Sequence, residues 1–139
     1  MDRAPNTLEI RLERSIQASP DKAYDAWLDP KVPGTPWNAA SKLVLDCKPE
    51  GMFYSRMKDM PHYGMFTRLE RGREVCHTWM SPYTEGHESL VTVSFSKAGN
   101  DTLMVLVHTG LPDNSNGRAH QKGWTYFMDT FPQFFSAGA

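Results

Sequence analysis

The sequence has little cysteine and no long hydrophobic run. Its two cysteines, Cys47 and Cys76, are too far apart for a redox dithiol motif and too few for a disulfide framework or a zinc-finger set. The longest unbroken apolar run is the five residues 103–107, whereas a membrane helix needs about 20. Charged residues are spread through the first twenty positions, which argues against a secretory signal. We therefore expect a cytoplasmic protein that does not insert into a membrane.

An excess of charge of one sign is also missing. The 15 lysine and arginine residues nearly balance the 16 aspartate and glutamate residues, so the formal net charge is −1. The densest basic stretch, Arg68, Arg71 and Arg73, is interleaved with Glu70 and Glu74. Without a positive field the sequence offers no electrostatic basis for binding nucleic acid, and we expect none as a partner.

The sequence also lacks the common motifs of reactive sites. It contains no glycine-rich phosphate loop and no nucleophile elbow of the G-x-S-x-G type. The histidines form no helical i, i+4 pair and no cluster with cysteine; they are His62, His77, His87, His108 and His120. We therefore expect no cofactor, no metal ion and no dedicated catalytic residue.

What is present predicts a single domain over residues 1–139. Residues 7–16 alternate apolar and charged side chains, which is typical of a strand with one wet face. Ser19 and Pro20 are suited to cap and start a short helix, which is predicted to end at residues 29–30. From Pro30 to Trp37 the sequence has three prolines and a glycine, so Trp37 is expected on a tight loop or a single helical turn.

The rest of the chain predicts a meander of strands followed by a helix. Short runs from residue 42 to 108 are joined by tight turns, one of them at residues 59–61, which favours antiparallel pairing. A helix of about 23 residues, about 34 Å long, is predicted to start after Asp113 or Asn114 and to kink at Pro132. Its apolar side carries His120, Trp124, Phe127, Phe131 and Phe135. The economical arrangement is an α+β fold in which the sheet curls around this helix.

Six segments along the chain carry a resemblance to a known family. They are residues 19–30, 51–53, 78–79, 88–93, 108–112 and 120–124, with the sequences SPDKAYDAWLDP, GMF, TW, ESLVTV, HTGLP and HQKGW. In this order they resemble the activator-of-Hsp90-ATPase-like (AHSA1-type) branch of the START/Bet v 1-like SRPBCC superfamily. The resemblance implies the helix-grip fold: a seven-stranded antiparallel sheet around a long C-terminal helix, two short helices after the first strand, and an apolar cavity.

Alternation along the strands predicts which side chains face that cavity. Composition assigns the inward row of residues 91–95, and the resemblance assigns the row that includes Met104. With side chains of the helices and of the loop before the second strand, the predicted ligand-binding set is Trp27, Trp37, Phe53, Met57, His77, Trp79, Val93, Phe95, Met104, Leu106, His108, Trp124, Phe127 and Met128.

The bias toward methionine over isoleucine favours a deformable pocket. A packed core uses mainly Leu, Ile and Val, yet this chain has eight methionines and two isoleucines. Methionine adapts its torsions to irregular ligands. We therefore expect binding of a small hydrophobic or aromatic molecule, although for any one inward residue an ordinary core role is as good an interpretation. Two alternatives stay open: a polyketide cyclase-like enzyme that uses cavity histidines such as His77 and His108, and a chaperone partner or stress-response protein acting through its surface.

The histidines and the outer sheet face give further expectations. An inward His77 should be neutral at pH 7 because burial disfavours the charged form. His108 and His120 are more readily interpreted as structural residues that bond loop carbonyls near the mouth of the cavity. On the opposite side of the sheet, the apolar row Leu103, Val105 and Val107 suggests either a homodimer or cover by the N-terminal segment.

Overall fold

Seven antiparallel strands form one sheet that packs against a C-terminal helix. The computed structural model describes residues 7–136. The strands are β1 (Leu8–Ile16), β2 (Lys42–Leu45), β3 (Met52–Met57), β4 (Met60–Glu70), β5 (Glu74–Trp79), β6 (Ser89–Ala98) and β7 (Asp101–Leu111). Their order across the sheet is β1-β7-β6-β5-β4-β3-β2. The predicted first strand and the antiparallel meander are confirmed.

Helix α1 (Pro20–Trp27) forms where the cap signal predicts it. The hydroxyl of Ser19 accepts a hydrogen bond from the backbone N–H of Lys22 at 3.3 Å, and Pro20 occupies the first turn, where its missing N–H costs nothing. The helix turns Trp27 fully inward, with no side-chain exposure. It therefore closes one end of the core.

The second short helix implied by the resemblance is not formed within the described residues. Residues 30–39 are a series of turns instead, because Pro30, Pro33 and Pro36 supply no N–H and Gly34 has a positive φ of 86°. The backbone N–H of Ala39 still bonds the carbonyl of Thr35 at 3.1 Å, so one helical turn survives. Trp37 lies on that turn and is 1% exposed, as the sequence predicts.

The C-terminal helix is shorter than predicted. Helix α2 (Ser115–Thr130) has 16 residues and stops at Phe131, and a separate turn of helix, α3 (Gln133–Ser136), follows Pro132. The predicted change at Pro132 is confirmed, but it ends α2 and does not merely kink it, so α2 is shorter than the 23 residues predicted. Asn114 caps α2, because its side-chain oxygen accepts from the N–H groups of Asn116 and Gly117 at 3.0 and 3.1 Å.

The inward rows of the central strands follow the predicted alternation. Each member is at most 4% exposed: Val75, His77 and Trp79 on β5, Val91, Val93 and Phe95 on β6, and Met104, Leu106 and His108 on β7. The same face of the sheet receives the buried side of α2. One layer of core therefore lies between sheet and helix, as the helix-grip arrangement requires.

The outward row on β7 is less exposed than expected. Val105 is 9% exposed, and Leu103 and Val107 are half-buried. In the register of β1 with β7, Glu13 stands beside Val105 and Arg11 beside Val107, and the two charged side chains form an ion pair at 3.0 Å. Charged groups thus border the row. The N-terminal segment considered as a cover includes residues 1–6, which lie outside the described residues.

None of the helices in the described part of the chain combines the length and the apolar character needed to cross a bilayer.

Gly34 sets how closely the 30–39 turns approach the end of α2. A Cβ placed on Gly34 would lie 2.7 Å from the Cα of Phe131, and the positive φ is itself unfavourable for other residues. We expect Gly34→Ala to lower the free energy of unfolding by about 3 kcal/mol, from the strained φ together with overpacking. Urea unfolding followed by far-UV circular dichroism measures this.

The matched control is Gly99→Ala. Gly99 also has a positive φ, of 65°, but a Cβ there would meet nothing within 4 Å. It should lose only about 1 kcal/mol. Equal losses for the two variants would mean that the contact with Phe131 is not tight.

Candidate functional site

A cavity of about 710 Å³ lies between α2 and the hairpin formed by β3 and β4. Its size falls within the range of about 300–1,000 Å³ that is usual for small-molecule sites. Five buried side chains form its floor, and none is more than 8% exposed: His62, Trp79, His120, Trp124 and Phe127. The floor is therefore aromatic, with two imidazole rings as its polar components.

The rim of the cavity is more exposed and carries positive charge. Met57 and Met60 come from the β3–β4 hairpin, and Tyr126, which is 61% exposed, comes from α2. Lys58 and Lys122 bring one ammonium group from each side, and none of the described residues that line the cavity is acidic. The mouth is thus flanked by flexible thioethers and by cations, although the whole chain is nearly neutral.

Four of the fourteen predicted ligand-binding residues line this cavity. They are Met57, Trp79, Trp124 and Phe127. The other ten lie in the packed core rather than in the cavity wall: Trp27, Trp37, Phe53, His77, Val93, Phe95, Met104, Leu106, His108 and Met128. All ten face inward, so the strand parity is right, but other side chains cover them.

The side chain of Trp37 covers several of these inward residues. Its ring centroid lies 5.0 Å from that of Phe53, 6.1 Å from that of Phe66 and 5.8 Å from that of His77. Elsewhere in the core, the rings of Trp27 and Phe131 meet edge to face, with centroids 5.1 Å apart. These contacts have the geometry of favourable aromatic pairs and leave that half of the sheet–helix space filled.

His77 lies inside this aromatic cluster as a neutral base. It is 1% exposed, and its Nδ1 lies 2.9 Å from the carbonyl oxygen of Thr78, so Nδ1 carries the proton and donates it. Burial lowers the pKa of His77 to about 4. The structure agrees with the prediction of a neutral, inward imidazole, but the ring of His77 contacts other core side chains and does not line the cavity.

His108 is held by a chain of buried hydrogen bonds between helix and sheet. The indole N–H of Trp124 donates to Nδ1 of His108 at 2.9 Å, which fixes the proton of the imidazole on Nε2. Nε2 then donates to the hydroxyl of Ser89 at 2.7 Å, and that hydroxyl donates to the carbonyl oxygen of Trp79 at 2.6 Å. Burial, with smaller contributions from His120 and His77, holds the pKa of His108 well below its usual value.

The arrangement leaves His108 no free nitrogen for chemistry. Both ring nitrogens are used, and the bonds connect α2 to β6, β7 and the end of β5. The structural interpretation of His108 is therefore supported, whereas its use as a catalytic acid or base is not.

His120 and His62 are the imidazoles that do reach the cavity. Nδ1 of His120 donates toward the carbonyl oxygens of Gly117 and Asn116 at 3.1 and 3.2 Å, and Nδ1 of His62 lies 3.0 Å from the carbonyl oxygen of Met60. Burial lowers the pKa of each ring. Nε2 of His120 is buried and has no hydrogen-bond partner within the described residues.

Several lining residues escaped the sequence analysis because one turn was misplaced. The turn predicted at residues 59–61 is instead the pair Lys58 and Asp59, both with positive φ, as a two-residue hairpin turn requires. Met60 therefore pairs with Met57 across the hairpin, and His62 points to the inner face. Two methionines flanking a two-residue polar turn were the signal that could have located this wall.

The described residues hold no group of three metal-ligand side chains. The polar side chains that line the cavity are the imidazoles of His62 and His120, the indoles of Trp79 and Trp124, the phenols of Tyr83 and Tyr126, and the ammonium groups of Lys58 and Lys122.

Comparisons with known proteins agree on the family and the fold. The family model described as "Activator of Hsp90 ATPase homolog 1-like protein" matches residues 17–136. The human Activator of 90 kDa heat shock protein ATPase homolog 1 is 25% identical over 134 residues, which are 96% of this chain and 38% of the human protein. The chain thus spans less than half the length of the curated relatives it matches.

Solved structures support the same architecture. The Aha1 dimer from Colwellia psychrerythraea has a TM-score of 0.75 at 17% identity, and the match covers 94% of this chain and 98% of that one. CalU16 from Micromonospora echinospora has a TM-score of 0.74 at 20% identity, with 99% and 87% covered. At such identities the likeness shows the helix-grip fold alone.

The buried neutral histidines predict an acid-labile fold. Histidine in an unfolded chain titrates near pH 6.5, whereas folded His77 has a pKa of about 4. Between these values the unfolded chain binds the proton and the folded chain does not, so the free energy of unfolding falls as pH falls from 6.5 toward 4. At pH 5 the loss from His77 alone should be about 2 kcal/mol relative to pH 7.

The variant His77→Phe keeps an aromatic ring in the cluster and removes this titration. Its loss of stability between pH 7 and pH 5, measured by urea unfolding, should be smaller than the parent's by about 2 kcal/mol. His87→Gln, on an exposed loop, is the control and should keep the parent's dependence. An unchanged slope in His77→Phe would contradict the neutral buried imidazole.

Proposed function

The chain belongs to the family of Activator of Hsp90 ATPase homolog 1-like proteins, and from that premise we propose that it binds a small aromatic or otherwise apolar molecule in the cavity between α2 and the β3–β4 hairpin. Members of one fold family serve many functions, so the support for binding comes from the cavity itself.

The observation that carries the proposal is the contrast between the two halves of the core. One half is filled by contacts between aromatic rings at 5–6 Å, such as those of Trp37 with Phe53 and of Trp27 with Phe131. The other half keeps about 710 Å³ of space over the rings of Trp79 and Trp124. Apolar surface left uncovered in this way is stabilised when a ligand removes it from water.

The rim favours a ligand with an anionic or electron-rich end. Lys58 and Lys122 flank the mouth without an acidic side chain in the lining. An ammonium group near the mouth attracts anions at short range, and physiological salt weakens that attraction. 1-Anilinonaphthalene-8-sulfonate, which joins two aromatic systems to a sulfonate, is therefore a suitable probe for a first test.

Acid–base catalysis has less support than binding. His77 and His108 do not line the cavity, so an enzyme of this kind would have to use His62 and His120. Burial lowers the pKa of both rings, which weakens them as bases near neutral pH. Binding needs no positioned base.

Gly123 allows the cavity to be closed without removing any contact. It is exposed, it lines the mouth, and a Cβ placed on it meets nothing within 4 Å. We expect the parent to bind the sulfonate probe saturably, measured by fluorescence titration, and Gly123→Trp to weaken that binding at least about tenfold by occupying the space. Any residue is a better helix former than glycine except proline, so the variant should not lose stability through the helix.

The matched control is Gly123→Ala, which makes the same change in helix propensity without filling the mouth. It should bind the probe as the parent does. Trp124→Ala, which removes part of the floor, should also weaken binding. The proposal fails if the parent shows no saturable binding, or if Gly123→Trp and Trp124→Ala both behave like the parent.

A second candidate function, contact with a protein partner through the surface, is favoured by an apolar patch on the outer face of the sheet. Val44, Tyr54 and Tyr63 pair across β2, β3 and β4, and Met52 lies beside them. Val44 is 61% exposed and Met52 55%. Clustered exposed apolar side chains often mark an interface. Relatives named as activators of a 90 kDa heat shock protein ATPase make that chaperone the partner to test.

A homodimer through Leu103, Val105 and Val107 stays a less supported proposal.

If the chaperone binds this patch, the double variant Val44→Lys/Met52→Lys should weaken binding of purified 90 kDa heat shock protein at least about tenfold, because it places two charges in the interface. Interferometry with the immobilised chain measures this. Gly123→Trp, whose change lies on the inner face, should retain parent affinity. Equal affinities of parent and double variant would exclude the patch as the contact surface.

A further inference from the structure

His120 lines the cavity, and its side chain has a buried hydrogen-bond acceptor without a partner in the described residues. Its side chain is 8% exposed and its Nδ1 lies near two backbone carbonyl oxygens, of Gly117 and Asn116. Carbonyl oxygens only accept, so Nδ1 must carry the proton. In a neutral imidazole the other nitrogen, Nε2, then holds a lone pair. That nitrogen is buried and has no partner within residues 7–136.

The other unpaired buried side-chain atoms of the described residues are the indole N–H donors of Trp27, Trp37 and Trp79, so Nε2 of His120 is the acceptor among them. The ring centroid of His108 lies 5.1 Å from that of His120, and both nitrogens of His108 are hydrogen-bonded. Buried polar side-chain atoms are nearly always paired, and an exception needs a specific explanation. Here the unpaired atom belongs to a residue that lines an open cavity. A small movement of the side chains that cover Nε2 would let a donor on the occupant satisfy it.

The surroundings of His120 define the group that would carry the donor. The cavity floor beside it consists of Trp79, Trp124 and Phe127, and the ring of Tyr83 meets that of His120 edge to face at 6.3 Å. Flat rings pack on such a floor with more contact than flexible chains do. The donor is therefore best placed on an aromatic ring, where a hydroxyl group is also a stronger donor than an aliphatic alcohol.

We propose that the ligand is a hydroxylated aromatic molecule, and that its hydroxyl group donates a hydrogen bond to Nε2 of His120 while its rings lie over Trp79 and Trp124. This inference rests on the proposed function, because it names the chemical class of ligand for the same cavity. No proton is transferred. His120 acts as a neutral acceptor that selects for O–H over a group of the same shape without a donor.

The test compares two probes with the same ring system, of which one has that donor and the other has a methyl group in its place. 2-Naphthol has a hydroxyl group, and 2-methoxynaphthalene carries a methyl ether at the same position. We expect the parent to bind 2-naphthol about tenfold more tightly, measured by displacement of the fluorescent sulfonate, because the ether leaves the buried acceptor unpaired. The apolar term alone would favour the ether, so the expected preference has the opposite sign to that of simple hydrophobic binding.

Two substitutions assign the preference to His120. His120→Phe keeps a planar ring but has no acceptor, so its preference for 2-naphthol should disappear. His120→Gln can donate to the helix carbonyls through its amide nitrogen and accept through Oε1, so it should retain a preference for 2-naphthol of at least about threefold. A purely structural role of His120 would lower both affinities together and would leave their ratio unchanged.

A spectroscopic measurement on the parent keeps the inference testable if a variant does not fold. The ¹⁵N resonance of His120 Nε2 should move when 2-naphthol binds and should not move with 2-methoxynaphthalene. The inference is overturned if the parent binds both probes equally while Gly123→Trp still blocks them, or if folded His120→Phe keeps the preference. Failure of the proposed function has a different result: neither probe binds, and Gly123→Trp resembles the parent.

Discussion

The hydrogen bond from the indole of Trp124 to His108 is the interaction on which the remaining arrangement depends. It joins the middle of α2 to β7, and through Ser89 it continues to the end of β5. Since every group in this series of hydrogen bonds is buried, loss of one member would leave the others unpaired. These hydrogen bonds also hold the ring centroids of Trp79 and Trp124 5.1 Å apart, and the two rings belong to the floor of the cavity. The polar network therefore also positions the apolar floor of the cavity.

Two features of the local chain divide the core into a filled half and an open half. The proline-rich turns before β2 bring Trp37 onto the aromatic cluster of β3, β4 and β5, and the break at Pro132 leaves Phe131 against Trp27. The β3–β4 hairpin faces α2 across the open half with flexible Met57 and Met60. Rigid rings pack where the fold is closed, and adaptable thioethers lie where an occupant would enter.

The sequence predicted which face of the sheet each side chain occupies, but it did not predict which inward side chains are covered by other side chains. Strand alternation correctly placed residues such as Val93, Met104 and His77 on the inner face, because parity is a property of a single strand. Whether an inward residue meets a ligand or another side chain depends on distant segments. Trp37 reaches the cluster from an irregular loop, and no periodic pattern encodes that path. His62 was missed for a related reason: the position of the hairpin turn decides which face His62 occupies, and two non-glycine residues with positive φ gave little warning of it.

Gly123 gives the open mouth a thermodynamic meaning. A glycine in the interior of a helix costs about 1 kcal/mol relative to alanine, and nothing near Gly123 requires so small a residue for packing. The chain therefore accepts a weaker helix at a position that lines the mouth of the cavity. Alanine at that position would strengthen the helix and leave the entrance open, whereas a larger helix former would gain the same stability and narrow the entrance, a local case of the opposition between robustness and activity.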